Sequence, residues 1–177
     1  TSTKCKALAA LKGIFVAQPQ LLLQLDHVGL FDNVMSDDAG VHLQLEALTC
    51  WREILTAEER HIDSGCAAAR MDADGNITVS KRIAGDQNGD ATLFGGVLTS
   101  HAGRLYEMVH SADPKIRHST LELLAVLLRQ GLVNPNDAIP HLFALQGDVA
   151  NQPARSVALQ LLMTEGEKRP DALRQRI

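Results

Sequence analysis

Apolar residues recur at helical spacing along most of the chain. Over residues 4–17 they fall at Ala7, Leu8, Leu11, Ile14 and Phe15, the alternating three- and four-residue step that gathers them on one helix face. Pro19 then breaks the pattern and reads as the first-turn proline of a second helix. Its stripe runs through Leu21, Leu25, Val28, Leu30, Phe31, Val34 and Met35, with Gly29 weakening it. Ser36-Asp37-Asp38 supplies a turn and a capping signal. A long helix is predicted from there over residues 39–60, with Val41, Leu45, Leu48, Trp51 and Leu55 facing inward.

The rhythm stops at residues 61–91. That stretch holds four glycines and five acids and no sustained apolar period, so it reads as a flexible linker or an insertion. A loop of that length is uncommon inside a compact domain. Helices resume near residue 92, where Leu93, Phe94, Val97, Leu98, Leu105, Met108 and Val109 share a face. Ser111-Ala112-Asp113-Pro114 is a turn, and the helix it opens over residues 114–130 has the clearest pattern in the chain. Gly131 stands where a left-handed C-cap belongs. Asn134-Pro135 opens another helix that closes at Gly147-Asp148, a further one covers residues 154–166, and Pro170 begins one more.

Two of these segments share a motif. Ser36-Asp37-Asp38 followed by Val41-His42, and Ser111-Ala112-Asp113 followed by Ile116-Arg117, both lead into long apolar helices. A looser third copy is Gly147-Asp148 followed by Arg155 and Ala158. This is the grammar of a HEAT repeat, in which the Asp caps the helix and the Arg reaches the Asp of a neighbouring repeat. The expected rungs of that ladder are Asp38, Asp113, Arg117, Asp148 and Arg155. Asp38 and Asp113 are 75 residues apart, too far for one repeat of roughly 40. Removing the 31-residue segment 61–91 leaves 44, which fits. A helical pair cannot hide its apolar face alone, so pairs must stack. The predicted fold is an all-α HEAT-repeat solenoid fragment: stacked antiparallel helical hairpins with one long inserted loop. Residues 1–60 and 92–177 carry the helices and 61–91 the insertion.

Composition agrees with helices. Hydrophobic residues make up 45% of the 177 and aromatics only 3%, a Leu- and Ala-rich mix that favours helix over strand. The formal net charge is −4, which does not announce nucleic acid. Charge is uneven, however. Residues 1–60 carry 5 basic and 8 acidic groups, whereas residues 92–177 carry 9 and 8. If a polyanion binds, the C-terminal part is the place. Lys115, Arg129, Lys168, Arg169, Arg174 and Arg176 are the candidates for a DNA- or partner-binding surface. For Arg117 and Arg155 the ladder is the better reading.

Other chemistry is not indicated. The three cysteines match no metal spacing, and Cys5 and Cys50 sit in apolar helical contexts where a thiol behaves as a small hydrophobe. They imply a reducing compartment. No secretory signal is visible, and no apolar run reaches the ~20 residues needed to cross a bilayer. The sequon Asn76-Ile77-Thr78 is therefore read as chance. Asp72-Ala73-Asp74-Gly75 resembles the core of a calcium loop, but Arg70 and Lys81 hold the places where that loop needs acids. The seven histidines are scattered, and no catalytic, metal or cofactor signature stands out.

One stretch is more specific. Ile116-Arg117-His118, Leu121, Ala125, Gln130-Gly131-Leu132-Val133, Pro135, Ile139-Pro140, Leu142, Ala144 and Asp148 stand in the order seen in the C-terminal HEAT region of the Nipped-B family of cohesin loaders, which this chain resembles. A generic HEAT repeat does not demand Gln-Gly-Leu, Pro135 and Pro140 together. The likeness is strongest over residues 113–170 and weaker over 1–60. It departs from the family pattern at Arg169, where an aromatic residue is common, and in the turn before Arg155. The resemblance implies a fragment of a very long, non-enzymatic scaffold that promotes loading of cohesin onto chromosomal DNA in the nucleus. It implies the cohesin complex (Smc heads and kleisin) as partner, with DNA as a further one, no cofactor and no membrane. The loader's own partner subunit is expected to bind elsewhere. The alternative is a generic HEAT or armadillo adaptor for protein–protein interaction.

Overall fold

A computed structural model describes residues 2–18, 21, 25–67, 100–149 and 151–170. The helices are α1 (Ser2–Ala17), α2 (Leu25–Met35), α3 (Val41–Ala67), α4 (described over residues 100–108), α5 (Pro114–Gln130), α6 (Pro135–Ala144) and α7 (Gln152–Lys168). Single 3-10 turns at Asp37–Ala39 and Leu145–Gly147 precede α3 and α7. Among the described residues there is no strand, and no helix is long and apolar enough to cross a membrane.

The odd-numbered helices stack in chain order, α1 on α3, α3 on α5 and α5 on α7. The even-numbered helices form a second layer. His101 of α4 lies 2.6 Å from Asp32 of α2, Arg104 donates to the Met35 carbonyl at 3.0 Å, and Tyr106 of α4 stacks on His141 of α6. Two layers of helices advancing pair by pair is the arrangement of an α-solenoid. The chain is all-α and HEAT-like, as its repeat pattern predicts.

Local chemistry explains the element ends. Asp113 accepts from the Lys115 amide at 2.8 Å with Pro114 in the first turn, so an otherwise orphaned donor is satisfied. At the other end of α5, Gly131 takes φ +71. Its amide bonds the Leu128 carbonyl and the Leu132 amide bonds the Leu127 carbonyl, a Schellman motif that closes the helix. Asn134 and Asn151 cap α6 and α7 in the same way, through the amides of Asn136 and Ala154.

The core runs through both layers. Phe15, Phe31 and Trp51 form a chain of rings, with centroids 6.2 Å and 4.7 Å apart. Further along, Leu121, Leu124 and Leu127 of α5 join Leu105 and Val109, Ile139 and Leu142, and Leu162. Ala154 and Ala158 have no exposed surface, and their size lets α7 lie close against its neighbours.

Helix α3 departs from its predicted form at both ends. It starts at Val41 because Gly40 adopts φ +80 after the 3-10 turn, a conformation that interrupts helix. It continues to Ala67, into the segment read as a linker, because propagation adds a hydrogen bond per residue and no proline stops it. Residues 68–91 lie outside the described residues, as do the calcium-like loop and the sequon. So do Pro19, the start of the helix predicted from residue 92, and Arg174 and Arg176. The inward face of α3 is also wider than predicted, with Leu48, Trp51 and Leu55 buried as expected and Leu45 half-buried. Val41 is 37% exposed, and the buried stripe runs through Leu43, Ala47, Leu48, Cys50, Trp51, Ile54 and Leu55. The reason is that α3 packs against α1, α2 and α5 at once, so its buried arc is wider than one stripe.

Trp51 is the sole tryptophan, so its fluorescence reports this core. Phe31→Ala removes the ring between Phe15 and Trp51 and is expected to lower stability by about 3–5 kcal/mol in a urea titration. A loss under about 1 kcal/mol would mean that the three rings are not one packed unit.

Candidate functional site

The odd-numbered layer is crossed by ion pairs. Lys12 of α1 lies 3.2 Å from Glu53 and 3.6 Å from Glu46 of α3. Burial pulls its ammonium pKa down, but the two carboxylates outweigh that and hold it above the ordinary lysine value. Arg52 of α3 pairs with Glu122 of α5, which His118 also approaches at 3.7 Å. Arg129 grips Glu59 with both arms of its guanidinium, Nε to Oε1 at 2.9 Å and Nη2 to Oε2 at 2.6 Å. This bidentate hydrogen bonding holds the Glu59 carboxyl below its ordinary pKa and raises that of Arg129. Next to it, Gln130 donates to the Leu55 carbonyl at 3.1 Å.

These contacts give physical meaning to the Arg-Gln-Gly-Leu stretch. Arg129 and Gln130 fasten α5 to α3, and Gly131 and Leu132 end the helix at that point. The sequence-level reading missed Glu59, Arg52 and Glu122, whose partners lie on the other side of the 61–91 segment, and Lys12, whose partners Glu46 and Glu53 are brought close only by the packing of α1 on α3. The only signal available was the constant spacing: Arg52 to Glu122 and Glu59 to Arg129 are both 70 residues.

The expected ladder is placed as follows. Arg117 Nη1 donates to the Ser111 carbonyl at 2.8 Å, and its Nε lies 3.3 Å from Asp148 Oδ2. The second contact is an ion pair without hydrogen-bond geometry. One side chain thus spans the turns that precede α5 and α7. Asp113 caps α5. Asp38 is exposed on a 3-10 turn that makes no side-chain cap, and neither it nor Arg155 holds an ion pair among the described residues. At the equivalent turn before α3, where His42 aligns with Arg117 but is exposed, the donor to the Ser36 carbonyl is Gln44, at 2.8 Å. A glutamine on the buried face of a helix was the signal for it.

The candidate contact residues do not form one patch. Lys115 is exposed at the start of α5, whereas Lys168 and Arg169 are exposed at the end of α7. Because Arg117 meets Asp148 at the starts of both helices, α5 and α7 run parallel. Their opposite ends are then separated by the length of a 17-residue helix, roughly 25 Å. Lys168 lies 3.3 Å from the carboxylate of Glu165, which is only 4% exposed. Arg129 is committed to Glu59.

On the even-numbered layer, α4 and α6 flank a groove of about 530 Å³ lined by Tyr106, Asn136, Asp137, Pro140 and His141 among others. Tyr106 and His141 stack with centroids 4.8 Å apart and planes 6° from parallel. His110 Nε2 and His141 Nδ1 are 2.9 Å apart, so one ring donates and the other accepts. Burial and the neighbouring His110 lower the His141 pKa. Burial, then Asp137, raise that of Tyr106. Among the described residues no three His, Cys, Asp or Glu side chains converge as a metal site. Cys50 is buried, which pushes its thiol pKa up to about 12 and leaves it an inert core residue.

The Arg129–Glu59 pair generates a pH prediction. Glu59 has a depressed folded-state pKa, so its contribution is present above the unfolded carboxylate value and is lost as pH falls through the folded one. A double-mutant cycle of Arg129→Ala and Glu59→Ala is expected to give a coupling of about 0.5–1 kcal/mol near pH 7, kept through the ordinary glutamate range and lost only as pH falls through the depressed folded-state pKa of Glu59. A coupling unchanged on acidification would contradict the charged pairing.

Comparison with known proteins places this geometry. Residues 94–177 match the family described as the sister chromatid cohesion C-terminus, Nipped-B type. The human Nipped-B-like protein is 24% identical over 146 residues, covering 81% of this chain and 5% of the relative. The Danio rerio Nipped-B-like protein A is 24% identical over 168 residues, covering 93% of this chain and 7% of the relative. The mouse Nipped-B-like protein is 23% identical over 146 residues, again 81% of this chain and 5% of the relative. The chain thus spans 5–7% of the length of these curated relatives. No solved structure matches it. The matched family segment contains α5, α6 and α7, the Arg-Gln-Gly-Leu clamp and the Arg117–Asp148 contact: residues 94–177 are similar to the Nipped-B-type C-terminal region.

Proposed function

We propose that the chain is a non-catalytic HEAT scaffold segment of a cohesin loader, acting at chromatin in the nucleus to promote cohesin loading and sister chromatid cohesion. The observation that carries this reading is the coincidence of the family match over residues 94–177 with the clamp that fixes α5 on α3. The residues most specific to the family are the ones that set the geometry of the helical stack. The proposed partners are the Smc heads and kleisin of cohesin, with DNA as a further, salt-sensitive one. The loader's own partner subunit is proposed to bind another part of the full protein.

Charge bookkeeping supports a restricted choice of contact residues. Lys12, Arg52, Arg117 and Arg129 are engaged by acids within the stack, so their charge is spent locally. Lys115 and Arg169 are exposed and are proposed as contacts, with Arg174 and Arg176 continuing the basic C-terminal sequence. Lys168 is proposed to serve two ends, neutralising Glu165 and adding to the surface charge.

The test is binding of the 177-residue chain to separate Smc heads, kleisin and duplex DNA. Lys168 is left unaltered, because reversing it would strand a buried carboxylate. Lys115→Glu and Arg169→Glu together are expected to weaken retention on cohesin or DNA by about tenfold at low salt, with the DNA component declining steeply as salt rises. Retention by none of these partners would overturn the loader reading in favour of a general HEAT adaptor. Retention indifferent to both reversals would remove these residues from the contact surface.

A further inference from the structure

The outer side of α7 is an uncovered copy of a buried pattern. Arg117 and Leu121 stand four and eight residues past Asp113, the cap of α5, and Arg155 and Leu159 stand at the same places past Asn151, the cap of α7. Both arginine amides bond the carbonyl of their cap at 3.1 Å, so the two helices start alike. In α5 the stripe is covered, for Leu121 has no exposed surface and Arg117 meets Asp148. In α7 it is open. Leu159 is 48% exposed and Met163, one turn further on, is 61% exposed. Arg155 holds no ion pair among the described residues.

The open stripe is also self-complementary. Arg155, Leu159, Met163 and Glu167 follow one another at four-residue steps, which makes them one ridge along the helix. A second α7 can be laid antiparallel on the first, with a two-fold axis level with Leu161. Leu159 of each copy then faces Met163 of the other, and Arg155 of each faces Glu167 of the other. Glu167 is exposed and, like Arg155, without an ion pair among the described residues. The same symmetry sets Ser156 against Gly166, small against small. The Ser156 hydroxyl already donates to the Gln152 carbonyl of its own helix at 3.0 Å, so it brings no unmet donor into the seam. The opposite edge of the stack does not fit this stripe. Helix α1 exposes Lys4 and Lys6 and contains no acid, so it would set cations against Arg155.

We propose that α7 is a self-association surface, through which two copies of this chain pair with their α7 helices antiparallel. Leu159 and Met163 form the apolar centre, and reciprocal Arg155–Glu167 ion pairs close both ends. Such a contact is isologous and stops at two copies, whereas a head-to-tail contact would go on adding them. One 17-residue helix, roughly 25 Å by 10 Å, offers less than the roughly 800 Å² per partner of a stable interface. The dimer is therefore weak, with a dissociation constant on the order of 100 µM. None of this depends on the loader reading.

The experiment is sedimentation velocity of the full 177-residue chain from about 10 µM to about 1 mM, a range that brackets that constant. The mass is expected to rise from the 19.2 kDa of one chain towards twice that value and no further. Arg155→Glu and Glu167→Arg each place like charges opposite one another and are expected to weaken self-association at least about tenfold. Mixed in equal amounts, the two variants face each other with opposite charges at both ends, and the mixture is expected to associate as the unaltered chain does. That rescue also shows that neither variant has lost its fold. A mass that stays at one chain throughout, growth beyond two chains, self-association indifferent to either reversal, or a mixture no better than its components would each overturn the proposal.

Discussion

Everything else in the chain depends on the seam between α3 and α5. Helix α3 packs against α1, α2 and α5, so with the α2–α4 contacts it joins the first two helices to the rest. The apolar part of that seam supplies most of the stability. Each buried Leu, Ile or Trp is worth about 1.5–3 kcal/mol, whereas the exposed or half-exposed ion pairs contribute about 0.2–1 kcal/mol each. The pairs do something burial cannot. Hydrophobic contact is non-directional, and a leucine-rich face accepts more than one alignment. Arg52–Glu122, Arg129–Glu59 and the reach of Gln130 to the Leu55 carbonyl agree on a single register, and a slip by one turn would break all three.

The seam also governs where charge is left over. In the odd-numbered layer Lys12, Arg52, Arg117 and Arg129 are paired with acids of the stack itself. Exposed cations outside these pairs include Lys4 and Lys6 on α1, Arg60 on α3, Lys115 at the start of α5 and Arg169 at the end of α7. The even-numbered layer is held differently, by the His101–Asp32 contact and the aromatic cluster at His141. One face therefore carries the ion pairs and the other an open groove lined by Tyr106, Asn136, Asp137 and His141.

Much of the fold was legible in the residues. The spacing of Ile116, Leu121, Leu124 and Leu127, the Asp113-Pro114 start and the Gly131 stop define α5 almost to the residue, because local caps and a strong stripe agree there. Where several neighbours compete, the pattern was less informative. The stripe of α3 was read too narrowly, with Leu48, Trp51 and Leu55 correct and Leu43, Ala47 and Ile54 missed, because three helices bury it together, and Gly40 was not seen to delay its start. The Arg117–Asp148 contact was within reach, since both belong to a repeated turn motif. Glu59 and Glu122 were not, because their partners are brought close by packing across an insertion whose course the sequence does not state. The α4–α6 groove was equally hidden. Tyr106, His110 and His141 are unremarkable singly, and only the pairing of α4 with α6 brings them together.

The central claim, that the α3–α5 seam is the last part of the stack to come apart, can be tested directly by native-state amide hydrogen exchange. Quasi-one-dimensional stacks lose their ends before their middle. Amides in the middle of α3 and α5, around Trp51 and Leu124, should exchange only through global unfolding. Those of α1 and α7 should exchange through smaller openings that leave the seam intact. Protection in α7 or α1 equal to or greater than that in α5 would contradict the account.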